Sequence, residues 1–145
     1  MPTESQRESV FRRMLVREAG TNADASMVAA AARQLSEQFA RELTPLIGAL
    51  GVAAIYARSL HLAQRRFPQL APFSASQQEE HDPISRAQRL IERQELTVAI
   101  DVAGGMLASV VQLLTSFIGE GLTASLLRKA WPDDFARSST EDITR

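Results

Sequence analysis

The chain has 145 residues, 45% of them hydrophobic and 6% aromatic, so a single domain can bury a sizeable, mostly aliphatic core without staples. A formal net charge of -1 removes the bulk cationic field that non-specific nucleic-acid binding needs, and no nucleic-acid partner is expected. The absence of cysteine excludes disulfides, thiolate nucleophiles and thiolate-bound metals.

The N-terminal MPTESQRESVFRR is polar and charged and has no apolar signal core, which points to a cytoplasmic protein. A first helix is predicted from Glu4 to Glu18. Thr3 and Gln6 have capping-box spacing, and Val10, Phe11, Met14 and Leu15 form an apolar stripe, with Glu8 and Arg12 on the other side. Gly20 to Asp24 ends this covering helix and opens a second, Ala25 to Leu43. That helix turns Val28, Ala31, Ala32, Leu35, Phe39 and Leu43 inward and Arg33, Glu37 and Arg41 outward.

Thr44-Pro45 reads as a cap followed by a first-turn proline, so a third helix is predicted from Pro45 to Phe67. Its first two-thirds is nearly free of charge, and Gly48 and Gly51 imply close approach of another backbone. Gln69 to Asp82 is the one long loop. Asp82-Pro83 repeats the cap-then-proline signal and starts an amphipathic helix carrying Ile84, Ala87, Leu90 and Ile91 on one side. That helix runs towards the most apolar stretch of the chain, Leu96 to Gly119, in which Val102 to Gly119 carries no charge.

A continuous helix from Pro83 to Ile118 would be about 54 Å long, far longer than its neighbours. It must break near Arg93 to Glu95 or at Gly104-Gly105, or else protrude and pair with a partner. Gly119-Glu120-Gly121 marks a kink, and a short last helix ends at Trp131-Pro132.

The fold class is therefore all-α, a bundle of four to five helices with a long apolar central helix. The third helix and Leu96 to Gly119 are expected as its inner pair. Residues 1-132 are assigned to one helical-bundle domain and 133-145 to a polar C-terminal tail. Two long segments apolar nearly all round predict a homodimer. A membrane span is not expected, because Ser109, Gln112, Thr115 and Ser116 interrupt the apolar run and its flanks are acidic.

Functional candidates are few. Asp101 stands alone in an apolar run and is a buried-charge candidate, expected to pair with an arginine such as Arg58. His61, near Arg58, Arg65 and Arg66, has the setting of a phosphoacceptor on a bundle helix. Leu62-Ala63-Gln64 follows it, where phosphotransfer domains commonly carry Lys-Gly. Glu79, Glu80, His81 and Asp82 lack the order of a metal motif, and neither metal nor cofactor is expected.

The arginine rows Arg12, Arg13, Arg17 and Arg86, Arg89, Arg93 read as solvated helix faces. These features favour a non-enzymatic regulatory or protein-interaction protein, such as a signalling adaptor, with an unknown protein partner. The alternatives are a binder of a small apolar ligand near Tyr56, Met106 and Leu107, and phosphotransfer through His61.

Overall fold

The computed structural model describes residues 3–68, 70 and 82–135, and these are helical with no strand among them. In chain order the helices are α1 (Glu4–Ala19), α2 (Ala25–Arg66), α3 (Pro83–Glu92), α4 (Leu96–Ile118) and α5 (Glu120–Ala130), followed by a helical turn at 132–135. The fold class is all-α. The loop expected at Gln69 to Asp82 lies almost wholly outside the described residues, as do Glu79, Glu80 and His81.

Several starts follow from local chemistry. Thr3 and Gln6 form the reciprocal capping box of α1, each side chain taking the other's backbone N–H at 3.1 and 2.8 Å. Asp24 accepts the Met27 N–H at the head of α2. At α3, Pro83 occupies the first turn while Asp82 accepts from the Ile84 N–H and the Ser85 hydroxyl.

The main departure from expectation is α2. The predicted boundary at Thr44-Pro45 does not exist: Thr44 donates its hydroxyl back to the Ala40 carbonyl and caps nothing downstream. The break falls three residues after the proline, at Gly48, whose φ of 81° and ψ of 161° lie outside the helical region. There the chain folds back on itself. In a straight helix Ser36 and Tyr56 would stand about 30 Å apart, yet the Tyr56 hydroxyl donates to the Ser36 carbonyl at 3.1 Å. We call residues 25–47 and 49–66 the two limbs of α2.

The long helix question is settled by a break at the first of the expected places. α3 stops at Glu92 and α4 starts at Leu96, and Glu95 between them is extended, at φ -71° and ψ 161°. The overlength that would have required α4 to protrude towards a partner chain therefore disappears. Gly104 and Gly105 do not break α4. They let α1 come close: a Cβ on Gly104 would lie 3.0 Å from the Arg12 Cγ, and one on Gly105 would lie 3.3 Å from the Glu8 carboxylate.

Glu8, expected on the solvent side, is consequently buried and bound at 2.7 Å by Arg66 from the end of α2. Burying a carboxylate is costly unless it is paired and hydrogen-bonded, and the Arg66 guanidinium supplies both.

The core is continuous. α4 contributes Val102, Ala103, Leu107, Ala108, Val110, Val111 and Leu114, all buried. α3 lies on α2, with Gln88 accepting from Arg33 at 2.8 Å, so Arg33 is not a purely solvated residue. Trp131 closes the far side. It stacks on Phe39 at 5.0 Å, meets Phe11 edge-on at 5.4 Å, and donates its indole N–H to Gln38. Asp134 and Phe135, expected in the polar tail, belong to this cluster: Phe135 contacts the Phe11 and Trp131 rings, and Asp134 takes a two-pronged bond from Arg17. Residues 136–145 lie outside the described residues.

Candidate functional site

The second limb of α2 was expected to be an inner helix, and it is only half covered. Val52, Ile55, Tyr56, Ser59, Leu60 and Ala63 face the core, whereas Ala49, Leu50 and Ala54 are exposed, as is Leu46 just before the break. The reason is the fold-back. Once the limb doubles over on the first, α3 and α4 cover one side of it and the other side faces outward.

On that open side, between the limb and the C-terminal half of α4, lies an apolar groove of about 510 Å³. Ile47, Gly51, Ala54 and Ile55 form one wall, Leu113, Leu114 and Phe117 the other, and Arg58 is the one charged lining residue. Phe117, in the groove wall, is 74% exposed, and Leu50, the residue before Gly51, is 88% exposed.

The limb and α4 run antiparallel, since Arg66 lies beside Gly105 and Gly51 opposite Phe117. Gly48 and Gly119, both in the positive-φ conformation that suits glycine, therefore bring two chain reversals to the same end of the molecule.

The three residues expected to bind a small ligand do come together. Tyr56, Met106 and Leu107 share a cavity with Ala29, Ser36 and Ala103, but its volume is about 20 Å³, room for about one water molecule. Burial holds the Tyr56 phenol above its ordinary pKa, an effect only partly offset by its hydrogen bond to Ser36.

Asp101 is not a buried charge. Its side chain is about half exposed, and its partner is Arg12 on α1 at 3.7 Å, with Arg58 away at the groove. It faces α1 because α4 turns its apolar faces towards α2 and the Gly104–Gly105 notch towards Glu8. His61 is exposed on the outer face of α2. Among the described residues, no group of three His, Asp or Glu side chains is placed to hold a metal ion.

Sequence reasoning missed the groove. The available signal was Leu46 to Leu50 with Phe117: large apolar residues beside Gly51 and Ala54, a surface with both projections and hollows.

α2 and α4 are each long and apolar enough to cross a membrane by length and composition. The fold-back at Gly48 divides the first of these into two limbs. Comparison with protein-family models, curated proteins and solved structures gave no match.

Proposed function

We propose that this is a non-enzymatic protein-interaction module built as a helical bundle, a regulatory or adaptor protein of the cytoplasm, that engages a protein partner through the groove between α2 and α4. One contrast carries the proposal. Inside, where the alternative reading would put a small apolar ligand, Tyr56, Met106 and Leu107 enclose only about 20 Å³; outside, about 510 Å³ of apolar groove stands open beside Leu50 and Phe117. Covering either of those side chains on association is worth about 2 kcal/mol, so a partner that fills the groove has a driving force that water does not supply.

A small apolar molecule is the second reading, since the groove volume lies in the range of ligand sites. Its openness to solvent favours a protein, because ligand sites enclose most of their occupant. A photo-reactive amino acid at Ala54, which lines the groove and is exposed, separates the two. Irradiation in native extract is expected to give a protein-sized adduct. A low-mass adduct, or none, would overturn the protein-docking proposal.

A further inference from the structure

We infer that α1 is a hinged cover, held shut over α4 by the segment that follows α5, so that α1 and residues 131–135 open and close together while α2, α3 and α4 stay folded. This goes beyond the docking proposal and rests on none of the groove residues.

The inner packing does not depend on α1. Ala29 and Tyr56 from the two limbs of α2, Ile91 from α3 and Leu107 from α4 line one small cavity, and no described α1 residue lines it. The Tyr56 bond to Ser36 ties the limbs together, and the Arg33 bond to Gln88 ties α3 to the first of them.

α1 meets α4 and the end of α2 through polar side chains as well as apolar ones. Arg7 donates to Gln112 at 3.2 Å, Arg12 lies 3.7 Å from Asp101, and Glu8 is bound by Arg66. The weak member is Arg7. It is 4% exposed, its partner Gln112 is neutral, and its Nε finds no acceptor among the described residues. A guanidinium buried on such terms opposes docking, because lost hydration is recovered only by full pairing.

The hold on α1 comes from the chain beyond α5. Phe11 meets the Trp131 and Phe135 rings at 5.4 and 6.0 Å, and Arg17 donates two bonds to Asp134, at 2.9 and 3.0 Å. This clasp is anchored on α2, where Trp131 stacks on Phe39 and donates to Gln38. The link from α1 to α2 suits a hinge: Gly20, Thr21 and Asn22 are exposed, and Gly20 and Asn22 take positive φ, 89° and 58°. Phe11, Met14 and Leu15 are buried, so the closed form dominates in the intact chain. Opening is a sub-global event that uncovers the Gly104–Gly105 notch and frees Arg66 from Glu8.

Hydrogen exchange of the full chain, read helix by helix by mass spectrometry, tests this. Phe135→Ala and Arg17→Ala loosen the clasp from its two sides. The expected result is exchange about tenfold faster across α1 in Phe135→Ala and about threefold faster in Arg17→Ala, with α3 and α4 unchanged in both. Arg17→Asp should also speed α1, and adding Asp134→Arg should slow it again by restoring the pair in reverse. Arg17 is 58% exposed, so its variants keep the comparison available if Phe135→Ala does not fold. Equal acceleration in every helix would mean that the chain opens as one unit, and it overturns the hinged cover. Unchanged α1 exchange in both single variants overturns the clasp.

Discussion

Replacing Gly48 with alanine puts the fold-back of α2 to a direct test. Gly48 has φ 81° and ψ 161°, a region that is essentially glycine-only and costs about 1 to 3 kcal/mol for other residues. A Cβ built there meets nothing within 4 Å, so no steric term is added and the cost is that of the backbone alone. Alanine also favours the continuous helix by about 1 kcal/mol over glycine. That preference pulls against the native state, because straightening α2 separates Tyr56 from Ser36 and strips α3 and α4 from one limb.

We expect Gly48→Ala to lose about 2 kcal/mol by urea denaturation, or about 8 °C in Tm for a chain of this size. Gly121→Ala is the control. Gly121 lies within α5 at a helical conformation with open space around it, so the same chemical change should stabilise by up to about 1 kcal/mol. Equal or greater stability of Gly48→Ala would refute the fold-back at this residue, and equal behaviour of the two variants would refute the backbone explanation.

Trp131→Ala should cost about 3 to 5 kcal/mol, because it empties the space among Phe11, Phe39 and Phe135; chemical denaturation followed by circular dichroism measures this. Tyr56 is the one tyrosine of the chain, and its raised pKa fixes a sign. Above about pH 10 the unfolded chain has lost the phenolic proton that the folded chain keeps, so stability falls as pH rises. Tyr56→Phe should flatten that alkaline loss while costing about 1 kcal/mol at neutral pH; melts across the alkaline range check both, and an unchanged alkaline slope would refute the assignment. His61 should remain unlabelled when the chain is incubated with a phosphodonor kinase, and acid-labile phosphate lost in His61→Ala would overturn the non-enzymatic proposal.

Features decided within a few residues were legible in the sequence. Thr3 with Gln6, Asp24, and Asp82-Pro83 act on backbone groups of their own turn, so spacing alone identifies them. Pro45 misled because a proline weakens a helix without saying where the chain will turn; the turn went to Gly48, where positive φ is free of penalty. Gly104-Gly105 read as a possible helix break and not as a packing notch, since what approaches them, Arg12 and Glu8, is almost a hundred positions away in sequence.

The groove was hidden for the same reason. Whether Leu50 and Phe117 are core or surface depends on which side of the doubled α2 the remaining helices cover, and no local pattern carries that information. Trp131 read as a terminator of α5, while its role as the centre of an aromatic cluster comes from Phe11 and Phe39 on other helices.

The polar contacts between α1 and its neighbours have a further consequence for the register of the bundle. Glu8 sits against Arg66 at the level of Gly105, and one turn further along α1, Arg12 sits against Asp101. Slide α1 by one turn in one direction and Glu8 arrives opposite Asp101. Slide it the other way and Arg12 arrives opposite Arg66. Both slips set like charges together, and both also drive side chains out of the notch that Gly104 and Gly105 leave. An apolar stripe such as Val10, Phe11, Met14 and Leu15 would tolerate a displacement of about 5.4 Å with modest loss, since one aliphatic neighbour resembles another. The four charges do not, so they act as a vernier that selects one alignment of α1 from several the hydrophobic core alone would accept.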